Sequence, residues 1–264
     1  MFSIMRSLTS ALALILAAGL GLDARGATPL EVWPQQVSVP DKNALKAQTD
    51  ALDSAAPAMP PSLALAVEFQ KLFLRIISGA PSSEWRADVE KFAAPSGQEP
   101  VQSALAEISR AWIARIEMAE IDTELRNYYR RNVRFPAVLA DVINDIPENL
   151  RKDPWGDPWV YKAAAPRGFD NFEAQRYQLG PARLPLLGTL PDAVRHRNFQ
   201  APAWTIAPRE ISGSKALEFR SERSGTAVIT TIQEGGRVDD CILIFIGDKW
   251  ALMAGADQLF AISF

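Results

Sequence analysis

Histidine, cysteine and paired carboxylates build most catalytic and metal sites, and this chain offers few of them. Its one histidine, His196, stands among basic residues in Ala193-Val-Arg-His-Arg-Asn198. A zinc site resting on two histidines is therefore excluded, and no cysteine cluster takes its place. A Ser–His–acid triad would have to run through His196, and no serine context supports one. There is no Gly-x-Ser-x-Gly elbow and no glycine-rich phosphate loop ending in Lys-Ser or Lys-Thr. The single cysteine, Cys241, lies in the strand-like run Cys-Ile-Leu-Ile-Phe-Ile. It reads as a small buried hydrophobe, and it has no neighbouring histidine or cation in sequence to activate a thiolate. The nearest approach to a carboxylate cluster is Asp153, Asp157 and Asp170, which could do general acid–base work if the fold brought two of them together. Their setting argues otherwise. Asp153-Pro-Trp-Gly-Asp157-Pro158 is turn chemistry, in which aspartate accepts from backbone N–H groups, proline presets a turn and glycine takes angles that others avoid. The expectation is a chain with no catalytic, cofactor-binding or metal-binding residues; a carboxylate-dependent exported hydrolase is the rival.

Composition narrows the class. The 264 residues are 48% hydrophobic and 22% charged, with a net charge of −3 and a pI near 5.4. These values suit a globular chain and give no basic excess for nucleic-acid binding. The first residues carry Arg6, an apolar run from Leu8 to Leu22, and small residues at Ala24, Gly26 and Ala27. That is the pattern of a secretory signal peptide, with cleavage after Gly26 fitting best and after Ala24 or Ala27 left open. The run is shorter than the ~20 residues that cross a bilayer, although retention as an anchor is the alternative. Export to the periplasm, or beyond it, is the expectation.

The elements follow from periodicity. Residues 27–61 read as an extended Pro/Ala-rich lead, with a short helix near Asp41–Asp53. Residues 62–100 read as helical, through Leu65, Phe69, Leu72, Phe73 and Ile76 and then Trp85, Val89 and Phe92. The longest periodic segment, from about Val101 to Asn132, carries Leu105, Ile108, Trp112, Ile116 and Ala119 on one stripe, which Ile121, Leu125 and Tyr128 continue with a small phase shift. Its end, Tyr128-Tyr-Arg-Arg131, reads as a helix C-terminus whose cations suit the negative end of the dipole. Trp159–Ala163 and Gln175–Leu179 read as two short strands. Residues 181–214 read as a Pro-rich linker. Residues 215–264 read as a small all-β module with strands at Ala216–Arg220, Thr226–Ile232, Cys241–Ile246, Trp250–Ala254 and Gln258–Phe264. The fold class expected is α+β.

One stretch resembles a known family. The helix end Ile121-Asp-Thr-Glu-Leu-Arg-Asn-Tyr-Tyr-Arg-Arg-Asn-Val-Arg-Phe-Pro136 is followed by Lys152-Asp-Pro-Trp-Gly-Asp-Pro-Trp-Val-Tyr161 and then by Arg176-Tyr-Gln-Leu-Gly180. This order is similar to the globular domain of the major pseudopilins of type II secretion. The resemblance covers about residues 113–180 and implies a long helix packed on a small antiparallel sheet. It implies structural roles for Asp153, Pro154, Trp155, Gly156, Pro158, Tyr161 and Gly180. Two features of the family are missing. No Gly-Phe-Thr-x-x-Glu cleavage motif leads into an assembly helix. Gly180 is followed by Pro-Ala-Arg-Leu-Pro-Leu-Leu-Gly188 where the family has an acidic calcium loop, so no calcium is expected there. Residues 215–264 are similar, over shorter patterns, to the small β domain of inner-membrane adaptor proteins of secretion and pilus systems. The resemblances imply a non-enzymatic envelope protein with protein partners in secretion or pilus-like assemblies. A secreted domain that reuses the fold for other binding is the alternative.

Overall fold

The computed structural model describes residues 28–38, 42–94, 97, 99–163, 177–223 and 226–264. The leader read at residues 1–26, the start of the short helix at Asp41 and Asp170 of the carboxylate cluster lie outside the described residues. The chain is mixed helix and antiparallel sheet. Its helices are α1 (Pro29–Val32), α2 (Lys42–Ala55), α3 (Ala64–Ile77), α4 (Arg86–Ala93), α5 (Pro100–Asn132) and α6 (Leu190–Arg195). Two short strands, β1 (Gln36–Ser38) and β4 (Asn198–Gln200), pair with each other. A hairpin is formed by β2 (Val160–Ala163) and β3 (Tyr177–Gly180). Two larger sheets follow: β5 (Thr205–Ile211), β6 (Ser214–Arg223) and β7 (Thr226–Ile232) form one, and β8 (Arg237–Val238), β9 (Cys241–Ile246), β10 (Trp250–Ala254) and β11 (Leu259–Ser263) the other.

Helix α5 is the axis of the molecule. Pro100 opens it, where a missing N–H costs nothing. Between Ala104 and Met118 only Glu107 and Arg110 are not buried. The expected single apolar stripe is therefore incomplete, because this half of the helix is covered on all sides. Helices α3 and α4 cover one side, with Phe73 and Trp85 edge-on to Trp112. The sheet β8–β11 covers a second through Ile242, Ile244, Leu252 and Ala261, which share one core with α3 and α5. Leu150 and Trp159 meet Ala114 and Met118 on a third. Ala104, Ala111 and Ala114 permit this crowding because small side chains let neighbours approach. Beyond Ile121 the helix returns to one-sided burial.

The strand β9 is buried on both faces, which explains its unbroken apolar sequence. Ile242 and Ile244 face the helices, whereas Cys241 and Leu243 face Leu217 and Phe219 of β6. Sheet β5–β6–β7 thus lies as an outer layer on β8–β11, and β8–β11 lies on α5.

Three expected boundaries change. Residues 28–38 hold α1 and β1 rather than an extended lead, and α2 lies where the short helix near Asp41–Asp53 was read. Trp33 is buried and stacks on Trp250 at 6.2 Å, and the Ala261 N–H donates to its carbonyl at 2.7 Å. The pairing Val37↔Phe199 ties this segment to the second half of the chain. A one-turn helix and a three-residue strand have no period to read, so only the long-range contacts reveal them. Residues 181–214 hold α6, β4 and all of β5, and so are more than a linker. Residues 215–264 do not form a separate module: the outer sheet begins at Thr205, and the sheet β8–β11 shares its core with α1 to α5.

Candidate interaction surface

The turn at Asp153 is organised around one buried carboxylate. Asp153 Oδ1 accepts from Trp155 N (3.0 Å) and Asp157 N (2.9 Å), and Oδ2 accepts from Ala182 N (3.0 Å). Pro154 leads the chain into the turn, and Gly156 has φ +88, a left-handed value that glycine takes without strain. Trp155 Nε1 donates to Glu107 at 2.8 Å, tying the turn to α5. Pro158 is exposed at the entry to β2, and Trp159 Nε1 donates to the Leu150 carbonyl at 2.8 Å. Tyr161 donates to the Pro136 carbonyl at 2.9 Å, and burial pushes its hydroxyl up to about 12. At Gly180 the Pro185 carbonyl comes so near that a Cβ would lie 2.6 Å from its oxygen. All seven residues singled out from sequence therefore hold one corner, the junction of helix, hairpin and the 181–188 loop.

Both oxygens of Asp153 accept from backbone donors, so this carboxylate has a structural role in the turn. Replacing it with asparagine turns one acceptor into a donor facing an N–H group. Asp153→Asn is expected to lower stability by about 1–2 kcal/mol in urea unfolding. Unchanged stability would show that the turn holds without the carboxylate.

His196 is exposed at the end of α6. Cys241 is buried, and burial raises its thiol to about 12. A cleft of about 340 Å3 lies between α5 and the turn before β8. Among the described residues its one carboxylate is Glu107, which bonds Trp155 and, at 2.9 Å, Arg110. Among the described residues no group of three metal-capable side chains converges, and no helix is long and apolar enough to cross a membrane.

Two buried charged sites were not legible in the sequence. Asp257, in the turn between β10 and β11, accepts from Arg115 of α5 at 2.5 Å and from Arg197 at 2.9 Å. Burial alone would raise its pKa, but the Arg197 and Arg115 guanidiniums overcome this and hold it below its ordinary value. Two cations thus face one carboxylate. The excess charge is met by the Gly188 carbonyl on Arg115, by Gln258 on Arg197, and by the ring faces of Trp112 and Phe73. Burial still pulls Arg115 below its ordinary value, against the attraction of Asp257. The second site is Glu117 of α5, whose Oε2 has no hydrogen-bond partner. Burial raises its pKa from 4.5 to about 7, against the pull of Arg86. Both sites are internal, and Asp257 links α5, the segment after α6 and the last β-turn.

The surface best suited to a partner is the edge of the outer sheet. Its two edge strands differ. β5 carries Pro208, Arg209 and Glu210, and Arg209 pairs with Glu218 at 3.0 Å. Proline and charge are the usual guards of a sheet edge. β7 reads Thr226-Ala-Val-Ile-Thr-Thr-Ile232, with neither. Residues Thr226 to Ile229 are all exposed, Val228 by 39% and Ile229 by 59%. Among the described residues, the register Phe219↔Thr230 and Arg220↔Ile229 leaves the far side of β7 without a hydrogen-bonded strand in this sheet.

Comparison with protein-family models, with curated proteins and with solved structures finds no match to this chain.

Proposed function

We propose that this chain is an exported, non-enzymatic interaction protein of the cell envelope, related to type II secretion or type IV pilus-like assemblies. The observation that carries the interaction reading is the unguarded edge of β7. Seven consecutive residues of high β-propensity, without charge or proline, leave backbone donors and acceptors open on one side. An extended segment of a partner can add there as a further strand, gaining main-chain hydrogen bonds and contact with Val228 and Ile229. The pseudopilin resemblance supports the envelope context, and the Asp153 corner, which joins a long helix to a two-stranded hairpin, is compatible with it. The occupied carboxylates of Asp153 and Glu107 support the non-enzymatic reading.

The test is crosslinking in the cell with the tagged full-length protein, followed by mass spectrometry of the envelope fraction. Secretion or pilus components should be recovered with the wild type. Ile229→Lys changes an exposed side chain, so its effect on stability is expected within about 0.5 kcal/mol. It should nonetheless cut that recovery about tenfold or more, because lysine on an edge strand opposes strand addition. Equal recovery with the variant would move the contact elsewhere. Recovery of no partner, with the protein free in the medium, would end the assembly reading.

A further inference from the structure

The end of α5 departs from the acidic character of the chain. The sixteen residues from Leu125 to Ala140 contain four arginines and no acid, in a chain of net charge −3. Two of these cations are neutralised by neighbours: Arg126 pairs with Asp122 at 2.6 Å and Arg131 with Asp145 at 2.7 Å. Arg130 reaches only the Asn127 side-chain oxygen, at 3.0 Å, and among the described residues neither Arg130 nor Arg134 meets a carboxylate. The whole run from Arg130 to Arg134 is exposed.

Val133 sits in the middle of this run. It is 71% exposed and has φ +56, in the left-handed region where glycine or asparagine ordinarily ends a helix. A β-branched residue is strained there. An apolar side chain that is both strained and held in water gains nothing from the fold itself. Val138, five residues on, is 54% exposed. Between them Phe135 packs against Tyr129 at 4.9 Å and Tyr177 at 4.8 Å, and Tyr161 stacks on Tyr177. The tip thus combines guanidiniums that meet no carboxylate among the described residues, exposed aliphatic side chains and half-buried tyrosines.

We infer that this tip, Arg130, Val133, Arg134 and Val138, is a peripheral docking site for a bilayer surface with anionic phospholipid headgroups. Each ingredient matches one layer of such a surface. The guanidiniums bind headgroup phosphates with charge-assisted hydrogen bonds. The valines enter the boundary below the headgroups, and the tyrosines suit the polar–apolar transition. The contact is interfacial, and among the described residues no helix is long and apolar enough to span the membrane. It is independent of the β7 edge.

Val133 provides a test that does not threaten the fold. Val133→Gly removes the apolar side chain and relieves the backbone, so its thermal midpoint should stay level or rise. The exported form of the protein, purified and with its N-terminus sequenced, is mixed with two kinds of vesicle. One is pure phosphatidylcholine; the other contains phosphatidylglycerol at about one third of the lipid. The wild type should sediment with the second and not with the first, and binding should weaken as salt rises. Arg130→Gln with Arg134→Gln should lower partitioning about tenfold or more. Val133→Gly should lower it severalfold with the fold intact. Equal binding to both vesicles, no binding to the anionic ones, or variants that bind like the wild type would each overturn the inference. A wild type that ignores both vesicles but is retained on immobilised polyglutamate would also overturn it, and would assign the tip to an acidic protein segment.

Discussion

Asp257→Asn is expected to lower the stability of the chain by about 3–5 kcal/mol, because it leaves two buried guanidiniums without their shared counter-charge. The substitution conserves shape, so loss of packing is not the cause. Arg115 comes from the middle of α5, Arg197 from the end of α6 and Asp257 from the last β-turn, and all three side chains are buried. The carboxylate also sits beside Trp112, whose Nε1 donates to the Asp257 carbonyl at 2.9 Å. The site is thus where the terminal sheet is fastened to the central helix. Unfolding in urea, followed by tryptophan fluorescence, should show one transition moved to lower concentration. Adding Arg115→Met to Asp257→Asn should recover part of the loss, since it removes one of the two uncompensated charges. A loss below about 1 kcal/mol, or a first transition confined to the terminal sheets, would show that the fastening contributes little.

The second large effect is a dependence of stability on pH that runs through Glu117. Its pKa rises from 4.5 to about 7 on folding because burial disfavours the carboxylate, and Arg86 compensates only in part. Arg86 is already engaged by Glu90 at 2.9 Å and Glu120 at 2.6 Å. Between these two values the folded chain keeps a proton that the unfolded chain has lost. The contribution is therefore fully present below about pH 4.5 and is lost as the pH rises through about 7. The loss amounts to about 3–3.5 kcal/mol, on the scale of 1.4 kcal/mol for each tenfold change in proton affinity. Glu117→Gln removes the titration. Its stability should fall less between pH 5 and pH 8, the slope against pH changing by nearly one proton in the middle of that range. An unchanged slope would mean that Glu117 ionises in the folded chain as readily as in water.

Much of the local structure was legible in the residues. Leu65, Phe69, Leu72, Phe73 and Ile76 set the period of α3. Pro100 and the Arg130-Arg131 pair mark the two ends of α5, and five of the terminal strands stand between glycine or aspartate turns. The Asp-Pro-Trp-Gly sequence carried its own explanation, since the aspartate binds backbone groups two and four residues away and needs no distant partner for them. Other elements left no trace. β5 contains Pro208 and two charges, which read as connector, and β8 is two residues long. Arg115 and Glu117 lie on a helix whose other faces carry many solvated arginines and glutamates, so nothing adjacent in sequence separates the buried pair from the exposed ones.

The sequence by itself determined the period of the helices, the positions of the turns, and a content of one histidine and one cysteine. Tertiary structure alone decided that Trp33 meets Trp250, that Arg115 meets Asp257 across 142 residues of chain, and that β7 rather than β5 is the open edge. The reason is the range of the forces involved. Periodicity and turn chemistry act over a few residues and are written where they act. Burial and the pairing of charges depend on which surfaces the folded chain brings together.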